Sequence, residues 1–134
     1  MRIMLDTNIL ISIIIFNSQR LKDMLIKISD NHTLVLSSYV LQELEDVIDR
    51  KFINRKKDLA EFLYRLPYEI EYTPSVILND KFVKIRDEKD APVLYSAIIS
   101  DVDILITGDK DFEDIDIEKP EILTPNEFMI KYYN

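Results

Sequence analysis

Met1-Arg2-Ile3-Met4-Leu5-Asp6-Thr7-Asn8-Ile9-Leu10 opens the chain, and this stretch decides the fold class. A short apolar run from Met1 to Leu5 is too brief for a helix and reads as a buried strand. It ends on a carboxylate, and the apolar segment from Ile9 then reads as a helix. The alternation continues along the chain. Leu21, Met24, Leu25 and Ile28 recur at helical spacing within Ser18 to Asp30, and His32 to Leu36 reads as a second strand. Ser37 and Ser38 are N-cap residues for a helix whose apolar face carries Val40, Leu41, Leu44, Val47 and Ile48, with Glu43 in its first two turns. A helix from about Lys57 to Leu66 stops before Pro67, and Tyr68 to Tyr72 alternates as a strand. Thr73-Pro74 then starts a loop or short turn.

The second half repeats the scheme. Pro92 suits a first helical turn, so a helix carrying Leu94, Ala97 and Ile98 begins close to Asp90. Asp103 to Ile106 is a compact strand running into Thr107-Gly108-Asp109, and Gly108, the single glycine, suits a positive φ or a close approach to a ligand. Glu121 to Leu123 is a last strand, followed by the capping box of Thr124 and Glu127 with Pro125 at the first helical position. Strands alternating with helices predict one α/β domain over residues 1–134, with a central parallel sheet covered by helices on both faces.

Composition narrows the chemistry. With 134 residues, 47% of them apolar, the chain is large enough for a single core. Cysteine is absent and His32 is the single histidine, a surface or turn residue by its position, which excludes thiolate and histidine-rich metal sites. No apolar run is long enough to span a bilayer and no signal-peptide pattern opens the chain, so a soluble cytoplasmic protein is expected. The net charge of −8 argues against binding nucleic acid through bulk charge. Basic residues are nonetheless grouped: Arg50, Lys51, Arg55, Lys56, Lys57 and Arg65 in one stretch, and Lys81, Lys84, Arg86 and Lys89 in another. Each reads most simply as a solvated helix face; Arg55, Lys56 and Lys57 are also candidate RNA contacts.

In open parallel sheets the functional crevice lies beyond the carboxyl ends of the strands. Asp6 and Asp109 each follow a strand, and Glu43 and Asp90 lie near helix starts that face the same edge. Taken singly, such acids are turn formers, caps or solvated residues; Asp87 is the plainer cap beside Asp90. Taken together they repel by roughly 4 kcal/mol per pair at about 4 Å in an effective dielectric near 20, and so must protonate or bind cations. Magnesium, or manganese on the same oxygen set, is the natural guest, and it brings metal-assisted hydrolysis of a phosphodiester. Thr7, Asn8 and Thr107 are supporting groups for the carboxylates, Asn8 being equally a cap for the first helix. Lys110 is a candidate phosphate contact or a charge-balancing lysine.

Asp6-Thr7-Asn8, Ser38 through Glu43, Arg86-Asp87-Glu88-Lys89-Asp90 and Thr107-Gly108-Asp109-Lys110-Asp111-Phe112 together resemble a PIN domain, most closely the branch of toxins from toxin–antitoxin systems. Thr124-Pro125-Asn126-Glu127-Phe128 resembles that branch's last strand–helix junction, so the likeness spans the chain. It implies a three-layer α/β/α sandwich and a magnesium- or manganese-dependent ribonuclease. Asp6, Glu43, Asp90 and Asp109 would be the catalytic and metal-binding acids, Asp111 an accessory metal acid and Thr107 a supporting hydroxyl. It implies as well a cytoplasmic prokaryotic toxin, homodimeric or of higher order, silenced by a small antitoxin protein. The sequence departs from the branch at Glu88, where many relatives carry proline, and at Ala91-Pro92. Two other classes compete. A magnesium-dependent phosphatase with an aspartyl nucleophile needs a second Asp where Asn8 stands. A catalytically idle module that binds RNA or a partner would have no use for all four acids.

Overall fold

The computed structural model describes residues 1–73 and 91–133. Their elements run β1 (Arg2–Leu5), α1 (Thr7–Ile14), α2 (Gln19–Asn31), β2 (Thr33–Ser37), α3 (Ser38–Lys51), α4 (Lys56–Arg65), β3 (Glu69–Glu71), α5 (Ala91–Ile99), β4 (Ile104–Ile106), β5 (Glu121–Leu123) and α6 (Pro125–Tyr133). The expected boundaries hold to within a residue or two. The first helix starts earlier than its apolar run, because Asp6 caps it and recruits Thr7 and Asn8 into the first turn. Two 3-10 turns, Ile53–Arg55 and Lys110–Phe112, have no counterpart in the sequence reading.

All five strands among the described residues are parallel, in the order β3-β2-β1-β4-β5. The central strands are apolar throughout because both faces are covered: Ile3, Met4, Leu5, Leu34, Val35, Leu36, Ile104, Leu105 and Ile106 are all buried. Helices pack on the two faces and complete the three-layer α/β/α sandwich. Chain order reverses between β1 and β4, which makes the junction of those two strands the topological switch point. Leu5 pairs there with Ile106, and the Asp6 N–H continues the ladder to the Ile106 carbonyl at 3.1 Å.

The amino ends of the strands are tied by charge. The Asp103 carboxylate accepts from the Arg2 backbone N–H at 2.7 Å and pairs with Lys119, while the Arg2 guanidinium reaches Glu69 and Glu71 on the edge strand β3. The Arg2 N–H bond holds the Asp103 carboxyl below its ordinary 3.8. A group with a depressed folded pKa stabilises above its unfolded pKa, and that contribution is lost as pH falls through the folded one. Asp103→Asn therefore lowers stability at neutral pH, by less than about 1 kcal/mol because the carboxylate is 39% exposed and water screens it. In urea unfolding the difference between variant and wild type shrinks once the pH is taken below 3.8.

His32 is a packing residue between α2 and α6. Its Nε2 lies 3.0 Å from the Tyr133 hydroxyl, its ring stands edge-on to Phe128, and burial lowers its pKa.

Candidate active site

Hydroxyl and carboxylate side chains gather where the strands end. Among the described residues the buried polar side chains are Asp6, Thr7, Ser37, Ser96 and Thr107, and Asp6, only 5% exposed, is the single ionisable one. Asp6 is the N-cap of α1, and Asp109 is the N-cap of the Lys110–Phe112 turn, its Oδ1 accepting from the Asp111 N–H at 2.9 Å. The plain capping role is thus real for both acids. Capping does not explain the burial of Asp6, since a helix cap is served as well at the surface.

Thr107 joins the two strand-end acids. Its hydroxyl donates to Asp6 Oδ2 at 2.8 Å and accepts from the Asp109 N–H at 3.1 Å. On the other flank, Asp6 Oδ1 accepts from the Thr7 N–H at 2.7 Å, and the Thr7 hydroxyl donates a short hydrogen bond to Glu43 Oε1. Asp6, Glu43 and Asp109 are therefore brought to one place by two threonines. Burial, above all, pushes the Asp6 carboxyl up; the bonds from Thr107 and Thr7 oppose this, and the negative charges of Glu43 and Asp109 add to it. Each Asp6 oxygen takes one of these hydrogen bonds and keeps an acceptor direction for a further partner.

The remaining expected residues divide. Asp90 lies outside the described residues, as do Asp87 and the second basic stretch. Among the described residues no group of three or more His, Cys, Asp or Glu side chains stands close enough to hold one ion. Asn8 is exposed in the first turn of α1 and is not its cap. Asp111 is half-buried and Lys110 exposed beside Asp109. Gly108 has no positive φ, and a Cβ built there meets nothing within 4 Å. Backbone conformation is therefore not its reason, and open space in front of it is what the structure provides.

Arg55 and Lys56 are not at the site. The Arg55 guanidinium donates to the Ile14 carbonyl at 2.9 Å and pairs with Asp58, and Lys56 pairs with Asp49 at 3.0 Å. Ile14 ends α1 and Asp6 starts it, a separation of about 12 Å along the axis. Exposed Lys57 follows them at the start of α4.

The PIN domain family model matches residues 2–111. The chain belongs to the PIN domain family. Its fold is similar to a chain in the crystal structure of VapBC2 from Rickettsia felis bound to a DNA fragment from their promoter. The TM-score is 0.69 at 24% identity, over 92% of this chain and 97% of that one. No curated protein matches the sequence. For this PIN domain the likeness fixes the architecture, and the site rests on its own geometry.

That geometry assigns Thr107 a role that can be measured. Thr107→Val keeps the shape and removes both bonds of the buried hydroxyl, at a cost of about 1–3 kcal/mol in stability. If the two strand-end acids hold a metal ion, untying them lowers the activity that depends on it roughly 10- to 100-fold, and Thr107→Ser restores it. Chemical unfolding and single-turnover cleavage read the two effects separately.

Proposed function

We propose that this PIN domain is a magnesium- or manganese-dependent ribonuclease and the toxin of a toxin–antitoxin pair. The observation that carries the reading is Asp6: a buried carboxylate facing the charges of Glu43 and Asp109, at the switch point of a parallel sheet. Such a cluster suits a hard divalent cation, whose charge relieves what burial and mutual repulsion impose. Asp6, Glu43, Asp90 and Asp109 would hold it together, with Asp111 as an accessory acid, since no three of the described acids suffice by themselves. When bound, the ion supplies Lewis acidity toward a phosphodiester.

The chain's own residues supply positioning. The Thr7 N–H and Thr107 hydroxyl fix both oxygens of Asp6, the Thr7 hydroxyl orients Glu43, and the Asp111 N–H orients Asp109. Orienting bonds of this kind keep ligating oxygens aimed before any guest arrives. Lys110, next to Asp109 and exposed, is assigned to the RNA backbone at the mouth of the site. Arg55, Lys56 and Lys57, at the far end of α1, meet only a longer RNA or a protein partner. RNA as substrate and a small antitoxin as partner come from the motif resemblance, and the VapBC2 assembly is consistent with a partner. A groove of about 530 Å³ between α2 and α4, lined by Leu25, Ile26, Phe62 and Leu66 among others, offers an antitoxin segment an apolar surface. No helix among the described residues is long and apolar enough to cross a membrane.

The experiment is cleavage of end-labelled RNAs by the purified protein with Mn2+, Mg2+ or EDTA. Cleavage in either metal, none in EDTA, and loss in both Asp6→Asn and Asp109→Asn are expected. Intact RNA under every condition would leave the chain as a module that binds without cutting.

A further inference from the structure

Thr73, read from the sequence only as the start of a loop, makes three hydrogen bonds to two different helices. Its backbone N–H donates to Ser38 Oγ at 2.8 Å, its hydroxyl accepts from the Tyr39 N–H at 3.1 Å, and the same hydroxyl accepts from Ser96 Oγ at 2.8 Å. Tyr39 is in the first turn of α3, whose early N–H groups have no partner within the helix. Ser37, the N-cap, serves the Val40 N–H at 3.1 Å, and Thr73 serves the Tyr39 N–H from outside the helix. Ser96 is 1% exposed on α5, so its hydroxyl has no water to turn to if Thr73 is lost.

Of the two helices joined here, α3 belongs to the site. α3 carries Glu43, which Thr7 holds beside Asp6. α5 packs against α3 and β2 and gives the first turn of α3 a fixed support. Thr73 lies just past the carboxyl end of β3, on the same edge of the sheet. We propose that Thr73 is a positioning residue of the divalent-cation site: it clasps the first turn of α3 to the buried Ser96 of α5 and so fixes the helix that presents Glu43. This rests on the metal-site reading given above. The clasp touches neither substrate nor reacting atoms, and it acts through Glu43.

The test uses the full chain and Mn2+ alone, with affinity measured by titration calorimetry beside single-turnover RNA cleavage. Thr73→Val removes the hydroxyl at nearly constant volume, and is expected to weaken Mn2+ roughly 10- to 100-fold and to slow cleavage with it. Thr73→Ser restores both. Ser96→Ala shifts affinity in the same direction, and the Thr73→Val/Ser96→Ala double variant is no weaker than Thr73→Val, because both changes remove one shared bond. Asp103→Asn, which loosens the opposite end of the sheet, serves as the stability control and keeps wild-type Mn2+ affinity. A wild type that binds Mn2+ while Thr73→Val binds it equally well, or a Thr73→Val loss no larger than the Asp103→Asn loss, overturns the clasp. A wild type that neither binds Mn2+ nor cleaves RNA overturns the metal-site reading itself and takes the clasp with it.

Discussion

Asp6→Asn is expected to reduce metal-dependent RNA cleavage by at least about 100-fold, beyond what loss of a supporting partner costs a metal site. Its melting temperature in EDTA should be no lower than that of the wild type. The two outcomes are opposite because the same carboxylate is costly to the fold and central to the proposed chemistry. Asp6 is held buried against Glu43 and Asp109, and its raised pKa records that the charged form is disfavoured there. An asparagine keeps an oxygen for the Thr7 N–H and donates its amide N–H to the Thr107 oxygen, whose proton must turn elsewhere, a smaller loss than the relief of the buried charge. Asp6→Ala is the informative contrast. It strands the Thr7 N–H and the Thr107 hydroxyl, at a cost of about 1–3 kcal/mol. An active Asp6→Asn protein, or one that melts several degrees lower in EDTA, would mean that Asp6 is only a helix cap.

Saturating Mn2+ is expected to stabilise the wild type by about 2.7 kcal/mol at a hundred times its dissociation constant. For a domain of this size that is a rise of roughly 10 °C in melting temperature. Asp6→Asn and Asp109→Asn should lose most of the rise, and Glu43→Gln a large part of it, since these acids share one local charge. Differential scanning calorimetry in Mn2+ and in EDTA measures it without any RNA. An equal rise in all four proteins would place the ion elsewhere.

The fold was legible because its determinants are local. Apolar runs such as Ile104 to Ile106, the Thr124/Glu127 capping box and Pro125 at the first helical position each carry their own signal, and both capping-box bonds are present in the structure. The 3-10 turns were not legible, since Ile53 to Arg55 and Lys110 to Phe112 carry no periodicity over so few residues. A carboxylate at a strand end singled out Asp6 and Asp109, and the structure places the Thr7 hydroxyl on Glu43 and the Thr107 hydroxyl on Asp6. Asn8, weighed beside them, faces solvent instead, because the helix starts one residue before it. Thr73 and Ser96 could not be found from spacing, since their bond joins residues that only the packing of α5 brings together. Arg55 shows the converse limit. Its charge reads as a nucleic-acid contact, while its bonds to the Ile14 carbonyl and Asp58 tie it to the end of α1.

The most direct test of the central claim is the chemistry of the RNA ends that the protein produces. If the carboxylate cluster directs water to phosphorus, cleavage requires Mn2+ or Mg2+, stops in EDTA and in Asp6→Asn, and leaves linear phosphate and hydroxyl ends. Products bearing a cyclic 2′,3′-phosphate, formed equally in EDTA and by Asp6→Asn, would contradict it.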